Sequence, residues 1–363
     1  MWRIEGRGLN ETFVQTLEQL HKHGDIVPSR VGTTKELHPA TIVINNPKDR
    51  ILLVPGRKNN LAHSIFETVW VMTGQNDVES LSKYLPRAAD YSDDGLVWRA
   101  GYGPRLRFWS TIKPVDQILE VYNLLKKDIN TRQAVITIFD PARDLGVVSK
   151  DIPCNNLVQF LVRHDRLDMM VTVRSNDVVW GYSSINFFEW SFLQEALAEM
   201  LQVKVGRYYH VVNSLHIYEE HFTKSELWQR EFWHSVEYPI HGYQKYKPLL
   251  AQISNDPFVN FNTSLGAIWT THQYCLSYSW EELQTALENW EKSGNAKVFD
   301  YCRVILAYHA SKNDRVNLAA WAISGLTPEE DIRMAAISMV DRKHTGFAER
   351  YFGDEGLKAV RFN

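Results

Sequence analysis

Residues 168–202 read "DMMVTVRSNDVVWGYSSINFFEWSFLQEALAEMLQ". The stretch opens as a β-rich run and closes as a helix. From Phe187 to Gln202, apolar side chains recur at 193, 196, 197, 200 and 201, the i, i+3, i+4 spacing of a helix packed on one face. Between them lie an Arg-Ser pair, an aspartate and a Gly- and Ser-containing loop, "WGYSSIN". Further β-rich runs occur in "ATIVIN", "AVITIF" and "LVQFLV". Together these predict a sheet-and-helix core of α/β (α+β) class from about residue 10 to residue 240.

Beyond residue 275 strand-like runs stop and capped helices follow one another. Ser279 with Glu282 reads as a capping box, and Thr327, Pro328 and Glu330 supply a second N-cap, first-turn proline and reciprocal acid. "KSGN" and "ISGL" mark breaks between helices. The expected division is a catalytic domain over residues 1–275 and a helical extension over 276–363, with its helices at roughly 279–345. Trp280, Trp290 and Trp321 are expected to fill the core of that extension.

The 363 residues are 44% hydrophobic and 12% aromatic, enough for a large core. Lys and Arg number 40 against 43 Asp and Glu, a formal net charge of −3. Such a balance draws the molecule neither to nucleic acid nor to an anionic membrane, so a phosphorylated ligand needs a local basic site. The N-terminal "MWRIEGRGLNETF" lacks the apolar stretch of a signal peptide, and no run approaches the roughly 20 apolar residues that span a bilayer. A soluble, cytoplasmic protein is expected, in the host cytoplasm if the source is viral. Cys154, Cys275 and Cys302 are odd in number and lack CxxC spacing, which argues against a disulfide framework and a zinc site. No metal is expected, and at least one thiol is free.

Cys154 stands in "DIPCNNLVQF", residues 151–160. A buried cysteine is ordinarily a small hydrophobe, and Pro-Cys alone does not lift it above that. In "AHSIFETVWVMTGQND", Glu67 sits among Ile65, Phe66, Val69 and Trp70. Buried there, its carboxylate is costly to keep charged and becomes a candidate acid or base; on a wet helix face it is unremarkable in chemistry. "AGYGPRLRFW", around Tyr102, reads alone as a turn, and in "NSLHIYEEH" His216 and Tyr218 share one face if the segment is extended.

Taken together, in this order and at these separations, the segments resemble the thymidylate synthase and pyrimidine nucleotide hydroxymethylase family over roughly residues 28–222. The resemblance implies a cysteine thiolate adding to C6 of a pyrimidine nucleotide, whose C5 then attacks the one-carbon unit of 5,10-methylenetetrahydrofolate. Pro153 and Cys154 match the nucleophile motif, and Arg174 is the cation expected to lower the thiol pKa. Arg174, Ser175 and Arg30 match the phosphate-binding residues. Asp177 matches the aspartate that orients the pterin, and Glu67 the glutamate that assists proton movement at C4 and C5. Tyr102 matches the tyrosine that helps remove the C5 proton, and His216 with Tyr218 the pair that holds the sugar 3'-hydroxyl. The family is homodimeric and lends arginines across the interface. "NTRQAVITIF" resembles that segment, with Arg132 in place of the first arginine and Gln133 where a second is expected.

Several positions depart from the methylating members. Asn155 follows the nucleophile where histidine is usual. "YSSIN" replaces "LPFN" and is one residue longer: an ungapped alignment puts Ile185 at the base-reading position, and allowing for the extra residue puts Asn186 there. Ala88 and Ala89 stand near where a tryptophan packs against the exocyclic methylene, and the chain ends "AVRFN" where a short apolar tail would close the site. A less shielded site favours trapping by water, so the expected product is a 5-hydroxymethyl nucleotide of dUMP or dCMP, of the kind bacteriophages and some nucleoside-antibiotic pathways make. The alternatives are reductive methylation, as in thymidylate synthase itself, and an inactive nucleotide-binding homologue. An asparagine amide matches uracil, and a turned-over amide matches cytosine.

Overall fold

The computed structural model describes residues 1–110, 112–234, 247–327 and 331–361. Two compact units divide the chain, Met1–Arg50 with Glu67–Phe222, and Ile51–Phe66 with Thr223–Asn363. No helix among the described residues is long and apolar enough to cross a membrane.

An eight-stranded sheet forms the first unit: β1 (Trp2–Gly6), β2 (Asp25–Ser29), β3 (Gly32–Leu37), β4 (Ala40–Ile44), β5 (Val135–Thr137), β6 (Asn155–Arg163), β7 (Arg166–Asp177) and β8 (Lys204–Tyr218). Its main path is β1-β4-β8-β7-β6-β5, with β3 also on β8 and β2 on β3. The β1/β4 and β7/β8 pairs are parallel; the other pairs are antiparallel. Side chains of β6, β7 and β8 alternate: Val158, Phe160, Val171, Val173 and Val212 are buried, while Leu157, Leu161, Met170, Tyr209 and Val211 on the other face are half-buried.

The helices that matter here are α1 (Leu9–His23), α2 (Leu61–Met72), α3 (Tyr102–Arg107), α4 (Gln117–Lys127) and α5 (Phe187–Met200). The expected one-faced helix, α5, is instead buried at every residue except Glu199. The stripe read from the sequence is one of its sides; Phe187, Phe188, Trp190 and Phe192 fill the others, and a helix that is apolar all round is a core helix. Gln194 meets a need inside that core. The β7/β8 register shifts between Leu167 and Met169, and Gln194 Nε2 donates to the carbonyls of Leu167 (2.9 Å) and Arg207 (3.0 Å). Gly206 serves the same irregularity, since a Cβ there would lie 2.1 Å from Asp168 Oδ1.

The loop expected between β7 and α5 is a π-helical segment, Val178–Asn186, capped by Asp177, which accepts the Trp180 N–H at 2.5 Å. Sequence periodicity carries no signature of a π-turn, and such turns recur at functional sites. Below it lies a buried ion pair. Arg50 donates to Ser191 Oγ (3.0 Å), the Ser191 carbonyl (3.1 Å) and Glu195 Oε2 (2.5 Å), with Lys48 3.3 Å from the other Glu195 oxygen.

In the second unit, no strand occurs among the described residues from 223 onward. Its helices include α6 (Phe222–His234), α7 (Pro257–Leu276), α8 (Trp280–Ser293), α9 (Lys297–Lys312), α10 (Val316–Ser324), α11 (Asp331–Asp341) and α12 (Phe347–Val360). The division expected at 275/276 falls in the last turn of α7. The breaks expected at "KSGN" and "ISGL" coincide with the ends of α8 and α10. Ser279 is the N-cap of α8, but its side chain accepts no cap hydrogen bond; its hydroxyl takes one from Ser277 instead (3.3 Å), so the capping box does not form. Pro328 and Glu330 lie outside the described residues. Trp280 is buried, whereas Trp290 and Trp321 are half-buried, Trp321 lying under the Arg303 guanidinium at 4.6 Å.

Arg50 and Glu195 are 1% and 0% exposed at their side chains, so removing one strands the other. Arg50→Leu is expected to lower the unfolding free energy by about 3–5 kcal/mol, measured by urea denaturation. Arg50→Leu combined with Glu195→Leu should cost less than Arg50→Leu alone; a larger loss would show that the pair stabilises beyond the cost of its desolvation.

Candidate active site

Strands β7 and β8 run parallel and end together, and β6, antiparallel to β7, begins beside those ends. The register sets Ser175 opposite Ser214 and Asp177 opposite His216. It also brings Cys154, one residue ahead of β6, against Arg174, whose N–H donates to the Cys154 carbonyl at 2.9 Å.

The Arg174 guanidinium is held by two carbonyls. Nε donates to Pro153 (2.8 Å) and Nη2 to Ile152 (2.8 Å), which leaves Nη2 3.7 Å from Cys154 Sγ. A permanently charged, planar group is thus fixed beside the sulfur. The Cys154 thiol is nevertheless pushed up, chiefly by burial, with Arg174 opposing, Asp151 adding and Arg30 opposing. Arg174 acts on the thiol in the expected direction, but within one chain desolvation outweighs both guanidinium groups. Burial also pushes Cys275 and Cys302 up, Cys302 to about 12.

Arg30 is exposed at the turn between β2 and β3, and its charge reaches Cys154 and Tyr218. Burial, then Asp177 and Cys154, push the Tyr218 phenol up. His216 is buried and stands edge-on to the Tyr218 ring at 5.2 Å. Asp177 is pushed up by burial; the Trp180 N–H and His216 oppose, and its Oδ1 is buried without a hydrogen-bond partner among the described residues.

Tyr102 lies on α3, a short helix rather than a bare turn, with its ring 5.9 Å from that of Trp190. Burial pushes its phenol well up, Cys154 and Glu189 adding, Asn155 opposing. Glu67 lies on α2 and is 8% exposed, so it is not on the wet face of its helix. Asn155 is fully buried, and its Oδ1 accepts from Trp190 Nε1 at 3.2 Å. Ala88 is buried and Ala89 exposed; Trp98 Nε1 donates to the Ala88 carbonyl at 2.9 Å, so an indole from further along the chain stands against that position.

All the residues given a site role from the sequence lie in the first unit. Cys154, Arg174, Arg30, Tyr102, Glu67, Asp177, His216 and Tyr218 are joined by contact or by charge, with Ser175 half-buried next to Arg174. Asn186 ends the π-helical segment, and its Oδ1 accepts from Asn176 Nδ2 at 2.9 Å. Arg132 and Gln133 are exposed ahead of β5 and are not drawn into this cluster. Among the described residues no group of His, Cys, Asp or Glu could hold a metal ion.

Sequence reading missed Glu189, Asn176 and His210. Glu189 is 1% exposed; burial pushes its carboxyl well up, Glu67 adds to the rise, and a hydrogen bond from the Asn186 side chain opposes it. A carboxylate inside "NFFEWSF" carried the same signal that singled out Glu67. Burial holds His210 down to about 3, leaving a neutral imidazole.

A family profile described as thymidylate synthase matches residues 11–256. The deoxyuridylate hydroxymethyltransferase of Bacillus phage SP01 is 37% identical over 226 residues, 60% of this chain and 59% of that protein. The deoxyuridylate hydroxymethyltransferase of Delftia phage PhiW-14 is 35% identical over 227 residues (60% and 62%), and that of Pseudomonas phage M6 35% over 223 (61% and 63%). This chain spans about three fifths of the length of these relatives. The chain belongs to the thymidylate synthase family.

Because the Cys154 thiol is raised, its reactive thiolate is populated as pH rises towards that pKa. Iodoacetamide labelling of the folded protein, followed by peptide mass mapping, should find Cys154 modified ahead of Cys275 and Cys302, at a rate that climbs with pH. Arg174→Ala should slow labelling of Cys154 by roughly up to tenfold at fixed pH, the effect of about one pKa unit.

Proposed function

We propose that this member of the thymidylate synthase family hydroxymethylates C5 of dUMP, with 5,10-methylenetetrahydrofolate as one-carbon donor. The observation that carries this reading is Cys154, set 3.7 Å from the Arg174 guanidinium at the shared end of β6, β7 and β8, where Tyr102, Asp177 and Glu67 converge. The hydroxymethyl product and the uracil base are supported by the activity named for the phage relatives. Every residue given a role falls within residues 1–275, which we take as the catalytic domain.

The Cys154 thiolate adds to C6 of the pyrimidine and moves electron density towards C5 and O4, and a soft sulfur both adds to and leaves from such a conjugated ring. Arg174 offsets the thiolate charge and, with Arg30 and Ser175, holds the 5'-phosphate. His216 and Tyr218 hold the 3'-hydroxyl, and Asn186 reads the base edge. Asp177 fits the pterin: its buried, unsatisfied Oδ1 calls for an N–H donor. When bound, methylenetetrahydrofolate would supply the one-carbon unit: its carbon bonds to C5, and loss of the C5 proton then expels the folate amine as tetrahydrofolate and leaves a methylene on C5. Tyr102 helps remove the C5 proton, and Glu67 assists proton movement at the C4 carbonyl oxygen and C5. Water adds to the C5 methylene, a proton is lost, and electron density returning through C5 expels the Cys154 thiolate from C6.

Incubation with methylenetetrahydrofolate and, separately, dUMP, dCMP, UMP and CMP should add roughly 30 Da, one CH2O unit, to dUMP by mass spectrometry. A gain of roughly 14 Da would instead mean reduction to a methyl group. Cys154→Ser should reduce turnover by about a thousandfold or more while nucleotide binding persists; unchanged turnover would overturn the nucleophile assignment.

The active form is proposed to be a homodimer. Its support is the half-buried face carrying Leu157, Leu161, Met170, Tyr209 and Val211, which a second copy of the sheet would cover. Arg132, exposed and away from Cys154 in its own chain, would then reach the phosphate site of the partner. Arg132→Ala and Cys154→Ser proteins, each weak alone, should regain activity when mixed and allowed to exchange subunits, since one site of the mixed dimer is intact; no recovery would exclude a shared site.

A further inference from the structure

Four side chains behind the base-reading position form one buried chain. Tyr208 Oη lies 3.0 Å from His210 Nδ1, His210 Nε2 lies 2.9 Å from Asn176 Oδ1, and Asn176 Nδ2 donates to Asn186 Oδ1 at 2.9 Å. Glu189 lies beside the Asn186 side chain, its carboxyl pushed well up by burial and so able to donate as well as accept. Tyr208 and His210 are fully buried, Asn176 is 4% exposed and Glu189 1%, so water cannot replace a mismatched partner. Gly181 makes room for the chain: a Cβ there would lie 2.4 Å from Asn176 Nδ2.

The order of donors along this chain is one-way. An amide oxygen only accepts, so Asn176 Oδ1 requires a proton on His210 Nε2. His210 is neutral, which leaves Nδ1 bare to accept from Tyr208. Asn186 therefore has one lone pair of Oδ1 committed to Asn176, which leaves a lone pair and the Nδ2 N–H groups for the base. Those two suit uracil, whose N3–H donates and whose O4 accepts. Cytosine reverses both, and turning the amide over would set N–H against N–H at Asn176.

We propose that Tyr208, His210 and Asn176 are positioning residues that lock the Asn186 amide for uracil and against cytosine. This rests on the proposed role of Asn186 in reading the base. The selectivity is thus decided partly by groups that never touch the nucleotide.

The test is the ratio of kcat/KM for dUMP to that for dCMP in the full-length protein. Asn176→Asp offers Asn186 only acceptors, so the amide should turn over and the ratio should fall by roughly ten- to hundredfold. Loss of packing alone would weaken both substrates together and leave the ratio in place. Asn186→Asp separates the two claims. A ratio it does not move overturns the base-reading role. A ratio that it moves, while Asn176→Asp stays within about twofold of the parent, overturns the lock alone. Independently of folding in the variants, 15N-edited NMR of the parent protein should show His210 protonated at Nε2; protonation at Nδ1 would reverse the chain and refute the inference.

Discussion

The parallel register of β7 with β8 is the constraint on which the site depends. It places Asp177 opposite His216 and Ser175 opposite Ser214, and because β6 runs the other way, it leaves Cys154 beside Arg174. The irregularity near Leu167 is part of the same register, and the Gln194 amide and the absent side chain of Gly206 accommodate it. A slip of one residue would carry every one of these side chains to the opposite face.

Desolvation sets the chemical character of what this register assembles. Burial pushes Cys154, Tyr102, Asp177 and Glu189 towards their neutral forms. Arg174 and Arg30 oppose it at the sulfur without overcoming it. Such a thiol adds to a ring through the fraction that has ionised, and the Arg174 guanidinium 3.7 Å from the sulfur favours that fraction. The same dryness makes orientation of the neutral amides decisive, since a misdirected N–H has no solvent to turn to.

Much of the fold was legible. "DMMVTVRS", "LVQFLV" and "ATIVIN" announce strands through composition, and the spacing at 193, 196, 197, 200 and 201 announces α5. The same spacing misstated how α5 packs, because periodicity records the densest stripe and not how many neighbours surround the helix. Ser279 has the right residue type at the right place, yet its hydroxyl bonds Ser277, a choice between local partners that pattern cannot rank.

What the amino-acid sequence determined by itself is the set of chemical groups and their order along the chain: a Pro-Cys thiol, an Arg-Ser pair, buried-looking carboxylates and a His-x-Tyr pair, each carried by a local motif. Tertiary structure alone decided which of these groups meet and how each is charged. Arg174 lies against Cys154 because β6 and β7 pair, Glu189 joins the cluster because α5 is enclosed on all sides, and Asn176, His210 and Asn186 become one hydrogen-bonded chain from three separate elements. Distance and dielectric are properties of packing, and no local stretch of sequence contains them.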